Sequence, residues 1–250
     1  MIEELAGSYI LVLLGALRIG PVFAFAPPFT LMRIPATIRV LLAIALAASF
    51  IASHTATPPR WEIGELLGMA AGELLLGLSM TLALQLGFAA IAVAGRALDI
   101  QAGFGFAFLV DPTTKAQTPL IGALFTYATA AIFFATSGPS DLVAVFAASF
   151  TQIPVGGFTM SNGIGPMLAF FATVSILGFG TVGIALLVLF LVDLVIAMMS
   201  RTLPQMNMLV LGFQVKAMVT LVLLPVTLGL AGGAIMRILR LTTEAMLALG

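Results

Sequence analysis

Cysteine is absent from this 250-residue chain, histidine occurs once, and only 8% of the residues are charged. Without cysteine there are no disulfides, no thiolate metal ligands and no sulfur nucleophile. The lone histidine, His54, falls in a predicted loop with no acid beside it. No Gly-x-Ser-x-Gly, His-Glu-x-x-His or phosphate-loop pattern occurs. Ten Lys plus Arg against ten Asp plus Glu leave no net charge to steer a ligand. A nucleic-acid binder would need many more cations for its phosphate contacts, and a disordered chain far fewer apolar residues. Soluble domains carry about 25% charged residues, so a soluble enzyme is excluded as well. Neither a cofactor nor a metal is expected.

What the chain does have is apolar surface, at 61% of residues. A membrane helix needs about 20 mostly apolar residues, and uncharged runs of that order recur. One of them, Leu142–Val192, extends for 51 residues and is broken only by Pro154, Gly156, Gly157, Asn162, Gly163, Gly165 and Pro166. Backbone groups in lipid must bond internally, so helices are favoured, and no barrel-like alternation is visible. The pattern predicts an all-α integral membrane protein in one membrane domain spanning 1–250. About six long apolar helical segments are expected, near 5–26, 38–52, 63–95, 119–136, 167–200 and 208–236. Ala24-Phe25-Ala26 resembles a signal-peptide cleavage site, but Glu3 and Glu4 make the leading region acidic, so a retained helix is expected. With the N-terminus outside, Arg33, Arg39, Arg96, Lys115 and Arg201 fall on one side. Arg60, Arg237 and Arg240 fall on the other, a weak charge bias.

Charges within apolar segments are functional candidates by default. Here they are Arg18, Glu73, Asp99, Asp193 and Lys216, with Gln85 and Gln101 as neutral companions. A proton or ion relay through facing helices is one reading; pairing between helices or snorkelling near segment ends is the other. Gly64, Gly68 and Gly72 share one helix face and suit close helix packing. Gly178-x-Gly180-x-x-Gly183 matches a dinucleotide fingerprint in letters, but it sits inside an uncharged run without the following acid. It reads as helix packing or a hinge.

Several stretches go beyond membrane composition. They are Arg18-Ile-Gly20 with Pro27, Ile34-Pro35 and Arg39; Glu73-Leu-Leu-Leu-Gly77; and Gly95-Arg96-Ala-Leu-Asp99-Ile-Gln101-Ala-Gly103-Phe-Gly-Phe106 with Asp111-Pro112. Further on come Ser149-Phe150 with Pro154-Val-Gly156, then Asp193, Ser200-Arg201-Thr-Leu-Pro204 and Leu211-Gly212-Phe213-Gln214-Val215-Lys216. In this order they resemble the FliR family, the R-type subunit of the flagellar protein-export gate, related to the T-type subunit of virulence injectisomes. The resemblance is collinear and covers nearly the whole chain. It departs from the family pattern at Gly138-Pro139, at Gly183 and at Gln214, which touches local helix bends.

The resemblance implies a non-enzymatic component of the flagellar type III export apparatus. Its fold would be that of a P-type and a Q-type subunit joined end to end, built of bent helical hairpins. It would assemble with P- and Q-type partners, and with the B-type switch subunit, around a channel for exported flagellar proteins. The site would be the bacterial inner membrane at the flagellar basal body, with the core raised toward the periplasm. The loop matching Gly103–Thr118 would contribute an apolar plug, with Phe104, Phe106, Phe108 and Leu109 as its side chains; packing of these aromatics under a neighbouring helix is the competing reading. The scattered charges would then mark subunit contacts, with Glu73, Arg96, Asp99 and Arg201 foremost and Arg18, Asp193 and Lys216 beside them. An injectisome subunit is the alternative. A secondary transporter is a more distant one, since the Glu73 and Asp193 regions do not repeat each other.

Overall fold

The computed structural model describes residues 2–32, 34–53, 63–104, 108–110, 117–158, 164–202 and 207–248, with backbone alone at 2–6, 108–110, 117–118 and 208–209. Helices dominate. They are α1 (Ile2–Phe25), α2 (Pro27–Leu31), α3 (Ala36–Ala52) and α4 (Ile63–Gln101), then α5 (Leu120–Ala135), α6 (Gly138–Gln152), α7 (Gly165–Thr202) and α8 (Met208–Ala248). Between α4 and α5, β1 (Phe108–Val110) pairs antiparallel with β2 (Gln117–Pro119), a short ribbon inside an otherwise all-α chain.

Each of the six apolar segments lies on a helix. Among the described residues four helices are long and apolar enough to cross a membrane, and five spans result if the bent pair α5–α6 counts as one; α3, at 17 residues, is shorter. At about 1.5 Å per residue, the 39 residues of α4 and the 41 of α8 outrun a hydrocarbon core of about 30 Å. Both continue past the expected ends at 95 and 236, because Arg96, Asp99, Arg237 and Arg240 interrupt apolarity but not helix propensity.

Proline and glycine set the breaks. Ala26 precedes Pro27 and is held extended (φ −72°, ψ 139°), which separates α1 from α2. Ile153 is extended for the same reason before Pro154, and α6 ends there. A 71° bend joins α5 to α6. Gly138 sits at that bend, where a side chain would run into the Phe133 carbonyl and ring.

The chain divides into two compact units. Unit 1 comprises 1–86, 133–171 and 239–250; unit 2 comprises 87–132 and 172–238. The long helices α4, α7 and α8 contribute residues to both, which the reading of one undivided domain does not anticipate. In unit 1, Phe23, Phe29 and Phe146 form a buried aromatic cluster, with ring centroids 4.6 Å apart for Phe23–Phe29 and 6.0 Å for Phe23–Phe146. Burial is uneven among the long helices. The most apolar window of α4 is 50% buried, but those of α7 and α8 are only 17% and 22% buried.

Candidate functional site

Unit 1 is pinned by a buried ion pair. Arg18 on α1 donates from Nε to Glu73 Oε2 (2.7 Å) and from Nη2 to Glu73 Oε1 (2.8 Å) on α4, with both side chains fully buried. Its Nη1 donates to the carbonyls of Ser149 (2.9 Å) and Ile153 (3.0 Å) at the end of α6. The guanidinium carbon lies 4.4 Å from the centre of the Phe150 ring. Glu73 Oε1 also accepts the Gly156 N–H at 2.7 Å. Gly156 has φ +83°, a conformation that suits glycine, and a Cβ there would stand 2.8 Å from Met69.

One turn beyond Glu73, Gly77 lets α4 touch the α1 backbone. A Cβ at Gly77 would be 2.5 Å from the Arg18 carbonyl oxygen and 2.8 Å from that of Leu17. Pro21 has no N–H to bond the Leu17 carbonyl within α1, so that oxygen is free to face the glycine. Three of the singled-out sequence stretches therefore meet at one place: Arg18, Glu73 with Gly77, and Ser149–Gly156. An arginine stays charged in proteins, and both carboxylate oxygens are occupied away from water. The Arg18–Glu73 unit is a staple between helices and not a proton relay.

Unit 2 carries a second polar cluster at the root of the β-ribbon. Both oxygens of the buried Asp99 carboxylate accept backbone N–H groups from the first turn of α5, Ile121 and Gly122, each at 2.9 Å. They satisfy donors that a helix start leaves orphaned. Gly95 and Gly122 make this approach possible, since a Cβ at Gly95 would be 2.9 Å from the Gly122 Cα. One half-turn further along, Gln101 Nε2 donates to Asp193 Oδ2 of α7 at 2.8 Å, and Asp193 Oδ1 pairs with Lys216 Nζ of α8. Gly103 follows with φ +84° and ends α4. Phe104 then packs edge-on against Phe213 of α8, with ring centroids 6.3 Å apart.

The remaining candidates divide as follows. Arg96 and Arg201 are exposed, and Arg201 sits in the last turn of α7, where a cation complements the helix dipole. Glu73 and Asp99, expected at subunit contacts, have their carboxylates engaged inside the chain instead. The glycine stripe makes no close helix contact among the described residues of this chain. Among the described residues nothing lies within 4 Å of a Cβ at Gly64 or Gly68, and Gly72 makes only ordinary contact with Phe158. Close packing falls on Gly77, Gly95 and Gly178; a Cβ at Gly178 would be 2.6 Å from the Ala90 carbonyl oxygen. Phe106 lies outside the described residues, and Phe108 and Leu109 are described as backbone of β1. Sequence reading names Gln85 and Arg39 but not their partners: Gln85 donates to the Phe25 carbonyl at 3.1 Å, and Arg39 to that of Ala24 at 2.6 Å. Both cap the end of α1, a long-range role with no local signature. Among the described residues no group of three or more His, Cys, Asp or Glu side chains could hold a metal ion.

Comparison with known proteins shows the family. A family model described as bacterial export proteins, family 1, matches residues 9–241. Flagellar biosynthetic protein FliR of Bacillus subtilis is 32% identical over 94% of this chain and 92% of its own length. FliR of Aquifex aeolicus is 31% identical over 88% of this chain and 86% of its own. Yop proteins translocation protein T of Yersinia pestis is 25% identical over 71% of this chain and 70% of its own. The match spans the staple, the Asp99 cap and the ribbon alike, and the chain belongs to bacterial export protein family 1, as a FliR-type membrane component of a protein-export apparatus.

Proposed function

We propose that this protein is a non-enzymatic core subunit of the flagellar export gate, assembling with P-type and Q-type subunits, and with the B-type switch subunit, in the bacterial inner membrane. In this reading the core is raised toward the periplasm at the flagellar basal body, and exported flagellar proteins pass through the channel in unfolded form. The observation that carries it is the hairpin root in unit 2. α4 is followed by the left-handed Gly103 and by Phe104, and the short ribbon beyond them opens with Phe108 and Leu109 in β1. Bulky apolar side chains at a constriction exclude water and ions until they are displaced. Asp99 and the Gln101–Asp193–Lys216 group hold the two ends of this hairpin to helices of the same unit.

Partner contacts fit the faces left uncovered. Ile176, Ile184, Met218 and Val222 on α7 and α8 are each more than two-thirds exposed, apolar surface that suits a neighbouring subunit or lipid. The exposed Arg96 and Arg201 are the charges available to fix register against P- and Q-type neighbours. Flagellar use is favoured over injectisome use by the higher identity and coverage of the flagellar relatives. Co-expression with the P- and Q-type subunits tests the reading. A stable complex that weakens on charge reversal at Arg96 or Arg201 is expected, and failure of the three co-expressed subunits to co-purify would refute it.

A further inference from the structure

We propose that unit 1 carries a binding site for one anionic phospholipid, with its phosphodiester on Arg39 and an acyl chain in the groove between α1 and α3. The groove is about 400 Å³ and is lined mainly by Leu13, Ala16, Gly20, Ala24, Val40 and Ala43, with Arg39 as its one charged residue. Gly20 forms an open floor, since a Cβ there would meet nothing within 4 Å. A helix about 10–12 Å across, with a pitch of about 5.4 Å, would fit barely one turn in such a volume. A fatty-acyl chain fits lengthwise. On the other side of the Leu13–Leu17 ridge lies a second groove of about 310 Å³, closed by Ile63, Leu66, Leu67 and Ala70, with no polar lining residue. Two grooves flanking one ridge suit the two chains of a phospholipid.

Arg39 supplies the charge complementarity. Its Nη1 donates to the Ala24 and Phe23 carbonyls, and among the described residues no carboxylate pairs with it. Its Nε is buried with no acceptor from the described residues. A buried charged N–H without an acceptor is costly, and a guanidinium matches phosphate oxygens in fork geometry. Basic pockets between membrane helices recognise phosphate headgroups on this principle.

The test is native mass spectrometry of the full-length chain in detergent, incubated with phosphatidylglycerol or with diacylglycerol, which lacks the phosphate, of matched acyl chains. Wild type should retain phosphatidylglycerol about tenfold better, as a charge-assisted contact implies. Arg39→Gln should erase that preference, and Arg39→Lys should restore part of it. Because Arg39 also caps α1, Gly20→Leu provides an independent arm: it fills the groove without touching the cap and should lower retention of both lipids. Equal retention of the two lipids by wild type, or a preference that survives Arg39→Gln, would overturn the proposal. So would displacement of bound phosphatidylglycerol by excess inorganic phosphate alone, which would indicate a simple anion site. Loss of co-expressed P- and Q-type subunits from Arg39→Gln, with lipid retention by the chain alone unchanged, would assign Arg39 to a protein carboxylate instead.

Discussion

Arg18 and Glu73, 55 positions apart, meet through two parallel hydrogen bonds of 2.7 and 2.8 Å with neither side chain exposed. Removing one partner of a buried pair leaves an uncompensated charge and typically costs about 3–5 kcal/mol, whereas replacing both by apolar residues can be close to neutral. Glu73→Gln should therefore lower the thermal stability of the purified chain sharply, and Glu73→Lys should prevent its accumulation and hence gate assembly. The double variant Arg18→Met/Glu73→Leu should recover much of the loss. A melting series over the two single variants and the double measures the coupling directly; additive losses would contradict it.

Gly77 is the contact that permits the staple. A methyl group there collides with backbone oxygens, which cannot rotate away as a side-chain end could. Gly77→Ala is expected to destabilise by about 1–3 kcal/mol through overpacking. Gly64→Ala and Gly68→Ala meet open space, and each should stabilise the isolated chain by up to about 1 kcal/mol through helix propensity. Melting temperatures of the three variants should therefore split in opposite directions. Equal losses at all three would restore the glycine stripe as the packing face within the chain.

Asp99 holds the start of α5 through two backbone N–H groups. Asp99→Ala should cost about 1–2 kcal/mol, as for a lost helix cap, and should speed amide hydrogen exchange at Ile121 and Gly122. Asn at this position keeps one acceptor oxygen and should show a smaller change. Unaltered exchange at both amides in Asp99→Ala would refute the capping role.

The Asp193–Lys216 pair is half exposed, 38% for the aspartate and 20% for the lysine. Where water or headgroups reach it, such a pair is worth at most about 1 kcal/mol. Lys216→Met should leave global stability nearly unchanged. A loss as large as that of Glu73→Gln would mean that the pair is far more enclosed in the working molecule.

Much of the helical framework was legible because a membrane-length apolar run is a local property of the sequence. α6 is not among the six segments because the apolar stretch from Leu142 to the break at Pro154 is too short to span; in the fold Pro139 sits in the first turn of that helix and Asp141 accepts from the Ser137 hydroxyl. The charges at 18, 73, 99, 193 and 216 were all identifiable as unusual, but which one meets which was not. Pairing depends on helix register over 22 to 135 positions, which no periodicity encodes. Gly77 illustrates the same limit. Its neighbours Gly64, Gly68 and Gly72 form the regular pattern, yet close contact falls on the glycine outside it, opposite the carbonyl that Pro21 leaves free. The hairpin root was legible as Gly103 followed by aromatics, while its clasp on Phe213 needed the fold.

Channel sealing is tested most directly by ion conductance across membranes containing the assembled gate, comparing the wild-type chain with one lacking Phe104–Leu109. Raised conductance, with P- and Q-type subunits still co-purifying in full, is the expected result. Wild-type conductance in a gate that assembles normally without those residues would contradict the plug.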